Sequence, residues 1–274
     1  MMMLQEILDW LEQTAPLRLS EDWDNTGLLL GDPGGGVSRI LTCLTVTPES
    51  VAEAIEHKAD LVVAHHPMPF KPVQRITTGS YEGRLLWQLA SNGIALYAPH
   101  TAWDSAEFGI NAKLASHLEL REVKPLIAFE SVAPKPQSTG TDSTELTLGS
   151  GRVGTLRAPM QVASIAAQLL GSLPAVRPRG VLTDREVSRV AVACGSGGSF
   201  LSAAARKGAE LLVTGESTFH TCLEAKAMGV SLLMIGHFAS ERFSMEQMAA
   251  AMQSDLPELK VWASKNEVDP VELL

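Results

Sequence analysis

The stretch RILTCLTVTPESVAEAIEHKADLVVAHHP, residues 39–67, decides the fold. RILTCLTV (39–46) and DLVVA (60–64) are short, β-rich apolar runs, and the segment PESVAEAIEHK between them has the spacing of a helix. A strand, a helix and a second strand in this order are typical of a parallel strand pair joined by a crossover helix. The stretch therefore predicts an α/β fold with a largely parallel sheet flanked by helices.

The same alternation extends in both directions along the chain. IALYA (94–98) precedes the helical pattern SAEFGINAKLASHL. Near the end of the sequence, three more apolar runs are each followed by a helical pattern: VSRVAVAC (187–194), ELLVTG (210–215) and LLMIG (232–236). We predict that these later segments form the second half of one α/β architecture.

Residues 125–186 differ from the rest of the chain in composition. Pro125, Pro134 and Pro136 accompany a Ser/Thr/Gly stretch, QSTGTDSTE, which is followed by the strand candidates ELTLG and RVGTLRA and the amphipathic helix QVASIAAQLLGSL. We predict here a small inserted α+β subdomain, with residues 1–124 and 187–274 forming the two halves of the main α/β domain.

The composition is that of a globular protein with an acidic surface. The 274 residues include 31 acidic and 22 basic side chains, which give a net charge of −9 with seven histidines uncounted. Such a surface repels nucleic-acid phosphates and anionic lipids, so binding of either by the whole molecule is disfavoured. A local cationic site, for instance one supplied by bound metal, remains compatible with this charge.

The cysteines and the N-terminal segment indicate a cytoplasmic protein. Cys43, Cys194 and Cys222 are far apart and form no CxxC motif, so neither a disulfide framework nor a thiolate zinc site is expected. The N-terminal segment is acidic where a signal peptide needs basic residues. The longest uncharged stretch, residues 85–103, is interrupted by polar residues and Pro99, so no membrane span is predicted.

Histidines gather where predicted strands end. Five of the seven follow a strand directly or within about one turn: His65, His66, His100, His220 and His237. Carboxylates join them at Asp104, Glu216 and Glu241. The binding crevice of an open α/β sheet lies beyond the carboxyl ends of its strands, so we expect these side chains to meet there. Clustered imidazoles and carboxylates without sulfur are typical of zinc, iron or manganese sites.

The adjacent pair His65–His66 predicts two ions. Neighbouring side chains at a strand end diverge, so consecutive ligands naturally serve different ions. In GHFASE, His237 and Glu241 are four residues apart, which places both on one helical face, from where the carboxylate can bridge two cations. We predict a dinuclear centre of His65, His66, Asp104, His237 and Glu241. The alternative is a tight strand-ending turn at HHP and an exposed helical pair at HxxxE.

Other polar features near these ligands have two interpretations each. Three side chains are candidates for general acid/base catalysis or for orienting the ligand imidazoles: His100, His220 and Glu216. The turn CGSGGS (194–199) either presents backbone N–H groups to a phosphate, from Gly195, Gly197 and Gly198, or lets a helix and a strand approach closely. The segment WDNTGLLLGDP (23–33) opens with polar residues that line the cavity or cap backbone turns.

The order of motifs resembles that of a known family, the dinuclear metal-centre proteins called GTP cyclohydrolase type 2 homologues, which are NGG-interacting-factor-like. The resemblance runs from Trp23 to about Arg242, and HHP and GHxxxE are its most specific parts. It is carried by WDNTGLLLGDP (23–33), DLVVAHHPMPFKP (60–72), YAPHTAWD (97–104), GRVGTLRAPM (151–160), VAVACGSGGS (190–199), LLVTGES with His220, and GHFASER (236–242).

The resemblance implies two similar α/β halves around the site and assembly into a toroidal homohexamer. It also implies that His65 and His237 hold one metal, that His66 and Asp104 hold the other, and that Glu241 bridges them. The family usually carries an Asp where this chain reads TCLTVT, with Thr45, so the chain departs from the pattern there.

Two hypotheses about function follow from the predicted centre. Two adjacent cations equip a hydrolase, so the first hypothesis is a metal-dependent hydrolase of a nucleotide-like or other phosphate-bearing small molecule. The family label implies attack on the imidazole ring of GTP. The second hypothesis is a non-catalytic metal-binding or regulatory protein. The cations would make the cavity attract anions although the exterior is acidic.

Overall fold

The computed structural model describes residues 1–129, 148–173 and 175–272. Its strands are β1 (Met2–Met3), β2 (Gly27–Leu30), β3 (Gly36–Val37), β4 (Arg39–Cys43), β5 (Leu61–Ala64), β6 (Ala95–Ala98), β7 (Arg121–Ala128), β8 (Gly149–Met160), β9 (Arg179–Val181), β10 (Val187–Ala193), β11 (Leu211–Thr214), β12 (Ser231–Met234) and β13 (Lys260–Ala263). Its α-helices are α1 (Leu4–Thr14), α2 (Pro48–Glu56), α3 (Tyr81–Ser91), α4 (His100–Ser105), α5 (Ile110–His117), α6 (Val162–Ser172), α7 (Leu201–Arg206), α8 (Phe219–Met228), α9 (His237–Glu241) and α10 (Phe243–Asp255). No helix within these ranges is long and apolar enough to cross a membrane.

The predicted strand–helix–strand unit over residues 39–67 is confirmed as β4, α2 and β5. α2 begins where its sequence favours a helix start, because Pro48 occupies the first turn and the Thr47 side chain accepts a hydrogen bond from the backbone N–H of Ser50. β4 and β5 are parallel neighbours. The unit brings His65 and His66 to the carboxyl end of β5.

Two larger sheets carry the architecture. The first has the order β13–β4–β5–β6–β2, in which β13, β4, β5 and β6 run parallel and β2 pairs antiparallel with β6. The second has the order β7–β8–β10–β11–β12–β9, with β10, β11 and β12 parallel at its centre. A further small sheet pairs β1 with β3. The α/β fold with parallel central strands is therefore confirmed.

The parallel strands are buried on both faces. In β10, Val190 and Val192 pack with α5 and α6, whereas Ala191, which lies between them, packs with α7 on the opposite face. A strand covered by helices on both sides has no polar face. This explains why the central strands read as continuous apolar runs in the sequence.

Each larger sheet contains three parallel strands that follow one another along the chain: β4, β5 and β6 in the first, and β10, β11 and β12 in the second. The amino-terminal ends of these two sets are stabilised in the same way. A carboxylate that precedes the second strand of each set accepts hydrogen bonds from two backbone N–H groups beside the first strand: Asp60 from Ser38 and Arg39 at 2.7 and 2.9 Å, and Glu210 from Ser188 and Arg189 at 2.7 and 3.1 Å. The third strand of each set leads into a short helix, α4 or α9, that begins with histidine and contains a carboxylate four residues later. The halves therefore present similar side chains at the same end.

The structure differs from the inserted subdomain predicted for residues 125–186. β8 pairs antiparallel with β10, β7 pairs with β8, and β9 pairs with β12, so the described strands of this region belong to the second sheet. α6 packs into the same core as α5 and β10. The physical reason is that the three parallel strands would otherwise leave two unpaired edges, which β8 and β9 cover. QSTGTDSTE and most of the strand candidate ELTLG lie outside the described residues.

The end of the described chain returns to the first sheet. β13 pairs with β4, and Met245 and Met252 of α10 pack in one core with Ile7 and Leu11 of α1. The first sheet thus combines residues 27–98 with residues 260–263, and the second sheet is built from the chain between them. The candidate site lies where the two sheets meet.

Candidate metal centre

The carboxyl ends of β5, β6 and β12 carry the candidate site. The structure brings together all five side chains predicted as metal ligands, with His65 and His66 following β5, Asp104 on α4, and His237 and Glu241 on α9. The early start of α9 at His237 places its histidine and its carboxylate on one helical face, as the four-residue spacing predicted.

Glu241 lies at the centre of the cluster. Its Oε2 atom is 3.1 Å from Nε2 of His66, 3.1 Å from Nε2 of His237 and 4.0 Å from Nε2 of His65. The ligand atoms of His66, His237 and Glu241 all lie within 4.8 Å of one another. These three side chains therefore form a group that can hold a metal ion.

His65 supplies a test of whether a metal fits. The side chain is fully buried, and among the described residues neither of its ring nitrogens has a hydrogen-bond partner. Its Nε2 atom faces Asp104 Oδ1 at 3.7 Å, too far for a hydrogen bond. Buried polar atoms are costly unless they are bonded, and an imidazole nitrogen that faces carboxylate oxygens is a suitable ligand for a cation between them. The donor set therefore fits a metal ion.

Which of these ligands share an ion stays a prediction, and the structure shows two close contacts between them. His65 lies with Asp104, and His66 lies with His237, whose Nε2 atom is 3.4 Å from that of His66. Successive side chains at the end of β5 point in different directions, so His65 is buried while His66 lines the open cavity. Glu241 contacts both groups.

The electrostatics of the cluster favour a cation. Burial and the nearby charge of Glu241 raise the pKa of Asp104. Burial works in the same direction on Glu241, but hydrogen bonds from His237 and His66 hold its pKa below the ordinary value. The hydrogen bond to Glu241 raises the pKa of His237 to about 9, whereas burial lowers the pKa of His65. A bound divalent cation would relieve the repulsion between the two buried carboxylates.

Three imidazoles at the site are oriented through their Nδ1 atoms. Nδ1 of His66 lies 2.7 Å from the Thr45 hydroxyl, Nδ1 of His237 lies 3.0 Å from Glu216, and Nδ1 of His100 lies 2.7 Å from Asp24. Such partners fix the ring and leave Nε2 for the metal or the cavity. Thr45 thus supports His66 at the position where the family usually has Asp, and Glu216 has the contact expected of an orienting residue.

Several supporting residues were not found from the sequence. Glu267 accepts hydrogen bonds from the backbone N–H groups of Leu44 and Thr45 at 2.9 and 2.6 Å, and the thiol of Cys194 donates to Asp104 at 3.1 Å. Glu267 is more than 200 residues from its partners in the chain, and no local pattern marks it. For Asp24 the WDNTG motif was a usable signal, although turn capping explained it equally well.

His220 does not join the site. It is exposed near the start of α8 and is absent from the described residues that line the cavity. β11 ends at Thr214, and the loop that follows leads away from the cluster before Thr218 caps α8. The expectation of a catalytic or orienting role for His220 is therefore corrected.

Two of the three glycine N–H groups of CGSGGS that were considered above for phosphate binding donate within the protein instead. The backbone N–H of Gly195 donates to the Ser240 hydroxyl at 2.9 Å, and that of Gly197 donates to the Thr214 hydroxyl at 3.0 Å. A β-carbon on Gly195 would collide with Oε1 of Glu241, and one on Gly198 would collide with the Ser217 hydroxyl. These glycines allow close packing, which was the alternative interpretation.

A cavity of about 850 Å³ opens over the cluster. Its polar wall is formed by the exposed sides of the ligands, and its apolar wall is mainly aromatic: Trp23, Phe70, Phe129 and Phe200. A concave apolar site with a few convergent polar groups is typical of small-molecule binding. Fold and site together define an α/β protein with a candidate metal centre between two sheets.

The sequence profile of the family Duf34/NIF3 (NGG1p interacting factor 3) matches residues 2–270, and the chain belongs to this family. It is 33% identical to a Clostridium perfringens protein named GTP cyclohydrolase 1 type 2 homolog, with both chains covered fully. It is 30% identical to NIF3-like protein 1 of Drosophila melanogaster, over 98% of this chain and 88% of that one. The crystal structure of a Bacillus cereus protein related to NIF3 superposes with a TM-score of 0.87 at 25% identity, covering 100% of this chain and 99% of the other.

Proposed function

We propose that the protein is a dinuclear metal-dependent hydrolase of a nucleotide-like or other phosphate-bearing small molecule. The observation that carries this proposal is the position of Glu241, whose Oε2 atom lies 3.1 Å from Nε2 of both His66 and His237 and 4.0 Å from Nε2 of His65. A carboxylate in this position would serve two neighbouring ions of zinc, iron or manganese. Two such ions, when bound, supply Lewis acidity and an activated water for attack at phosphorus or a carbonyl carbon.

The residues of this chain provide the remaining parts of a hydrolytic site. His66 and His237 line the cavity, so the ligand set has an open side toward a substrate. Hydrolysis of a phosphoester places the oxygen of water on phosphorus, breaks the bond to the leaving oxygen and delivers a proton to that oxygen. His100 is the proposed carrier of this proton, because Asp24 holds its Nδ1 atom and leaves Nε2 for the cavity.

The names of the relatives support a nucleotide-like substrate, since the Clostridium perfringens protein is called a GTP cyclohydrolase 1 type 2 homolog. A fold and a metal site do not by themselves select a substrate. The proposal is therefore limited to the class of phosphate-bearing small molecules.

The test combines elemental analysis with a substrate screen of the same metal-loaded sample. We expect two metal equivalents per chain and turnover of a phosphoester or purine nucleotide, both of which Glu241→Gln removes. Glu224→Gln, an exposed carboxylate on α8, is the control that keeps both. Turnover that survives EDTA and Glu241→Gln contradicts the proposal. Bound metal without any turnover favours the non-catalytic metal-binding alternative.

We further propose a cytoplasmic homo-oligomer, with the hexamer that the resemblance implies. Support for the compartment comes from three free cysteines, of which Cys43 and Cys194 are buried. Size-exclusion chromatography with light scattering measures the assembly directly. A mass equal to the 29.3 kDa of one chain contradicts the proposed oligomer.

A further inference from the structure

Two aromatic side chains stand exposed at the mouth of the cavity. Trp23 is 62% exposed and Phe70 is 44% exposed, and both line the cavity. Their ring centroids are 6.0 Å apart with the planes tilted by 50°, so neither ring covers the face of the other. We call Trp23 and Phe70 the aromatic pair. Apolar faces held in water at the rim of a cavity favour a ligand that covers them.

The aromatic pair is fixed in place by its neighbours in the chain. Asp24 accepts hydrogen bonds from the backbone N–H and the hydroxyl of Thr101 at 3.2 and 2.5 Å, in addition to its contact with His100. The side-chain amide of Asn25 donates to the carbonyl of Pro69 at 2.7 Å, which joins the two segments that carry the aromatic pair. These hydrogen bonds hold the segments that carry the two rings in place. A ligand that stacks on the rings therefore loses little free energy to the ordering of loops.

The aromatic pair is separated from the metal ligands by one histidine. The centroid of the His100 ring lies 6.1 Å from that of Trp23, 6.2 Å from that of Phe70 and 5.6 Å from that of His66. A ring stacked on the aromatic pair would therefore lie next to His100. A group attached to that ring would reach the candidate ligands along the same cavity.

We propose that the aromatic pair binds the planar aromatic heterocycle of the substrate, and that the phosphate end of the same molecule reaches the metal ligands. This inference rests on the proposed function and narrows its substrate class to a heterocycle linked to phosphate, such as a nucleoside phosphate. The reacting bond is then at the phosphate end, and the ring stays intact. The reaction differs in this respect from the ring attack that the family label implies.

The test uses two probes that separate the two ends of the substrate. Adenosine carries a ring without phosphate, and ribose 5-phosphate carries phosphate without a ring. Binding of each to the metal-loaded protein is measured by calorimetry or ligand-observed NMR. We expect Trp23→Leu and Phe70→Leu each to weaken adenosine binding by about five- to tenfold and to leave ribose 5-phosphate unchanged. Trp87→Leu, at an exposed tryptophan of α3 outside the cavity lining, is the matched control without effect.

Each outcome decides between the two proposals. If adenosine does not bind, or binds equally well to Trp23→Leu, the proposal that the aromatic pair binds a heterocycle is wrong. In that case, ribose 5-phosphate binding that is lost in Glu241→Gln still supports the proposed function. Adenosine binding that needs Trp23, without any binding of ribose 5-phosphate, supports the heterocycle site and contradicts the proposed function. If hexyl phosphate loses as much affinity as adenosine 5′-monophosphate in Trp23→Leu, the surface is a general apolar one and the heterocycle proposal is wrong. A ring-opened product also overturns it.

Discussion

Gly195 occupies a position that has no room for a side chain. Its φ of +57° is in the left-handed region, and a β-carbon there would collide with Oε1 of Glu241 and lie 3.4 Å from Nε2 of His237. The sequence marked this turn through its glycines but left open whether they bind phosphate or permit close approach. The side chain that requires glycine at position 195 is Glu241, which is 46 positions away in the chain, so no local sequence pattern could distinguish the two interpretations.

The substitution Gly195→Ala is expected to displace Glu241 and to lower the metal content of the purified protein well below that of the wild type. The strained φ adds a loss of about 1 kcal/mol in the free energy of unfolding. Elemental analysis and urea unfolding measure the two effects. Gly171→Ala in α6 is the control, since a β-carbon there meets nothing within 4 Å. It should gain about 0.5–1 kcal/mol and keep its metal. Full metal content in Gly195→Ala would show that Glu241 tolerates the displacement.

At the scale of secondary structure, the central strands and the start of α9 were predictable because their signals are local. Each central strand is a short apolar run, and the spacing of His237 and Glu241 needs only an early helix start. The roles of β7, β8 and β9 were not predictable in the same way. These strands pair at the edges of a sheet whose centre is formed by residues later in the chain, and strand pairing depends on that partner.

The hydrogen bonds that Glu210 accepts at the start of the second sheet give a pH-dependent prediction. The hydrogen bond from the backbone N–H of Ser188, which outweighs partial burial, lowers the pKa of Glu210 from its ordinary value of 4.5. The folded state therefore binds this proton less tightly than the unfolded state. The stabilisation by the charged carboxylate is present above pH 4.5 and is lost as the pH falls through the lowered pKa.

Glu210→Gln should accordingly lower the free energy of unfolding by about 0.5 kcal/mol at neutral pH, a small value because the group is only partly buried. The difference from wild type should shrink as the pH falls below about 4. Urea unfolding across this pH range measures it. Glu224→Gln on α8 should show no such trend. If the difference in the free energy of unfolding between Glu210→Gln and wild type grew toward low pH, the pKa of Glu210 would be higher in the folded than in the unfolded state, and the prediction would be wrong.

At the scale of the whole molecule, Arg152 joins the second sheet to the end of α4. The residue is 1% exposed, and its guanidinium donates to the carbonyls of Gly149 and Gly151 at 2.6 and 2.8 Å, and to those of Ala106 and Ser105 at 2.6 and 3.4 Å. The first two carbonyls belong to β8, and the others follow the candidate ligand Asp104. Burial lowers the pKa of Arg152 to about 10, so the side chain stays charged at neutral pH. The subdomain predicted for residues 125–186 did not include these hydrogen bonds, because they join residues about 46 positions apart and leave no local pattern in the sequence.

Arg152→Met should lower the free energy of unfolding by about 3 kcal/mol, because it leaves buried carbonyls without donors. Arg152→Lys keeps the charge but cannot span four carbonyls, so an intermediate loss is expected. Urea unfolding measures both. Arg157→Met on the same strand is the control, since that side chain is 65% exposed and its pair with Glu119 contributes little. Equal losses at positions 152 and 157 would contradict a special role for the buried guanidinium.

The return of β13 to the first sheet has a consequence for synthesis on the ribosome. The last strand of the second sheet ends at Met234, whereas the first sheet lacks its partner for β4 until Lys260–Ala263 have emerged. In a nascent chain made from the N-terminus, the second sheet is therefore complete before the first, although the first begins earlier. Glu267, which holds the backbone beside His66 through Leu44 and Thr45, arrives later still. The candidate ligands thus gain this support only after residue 267 has been synthesised, so metal loading is expected to follow the folding of both sheets.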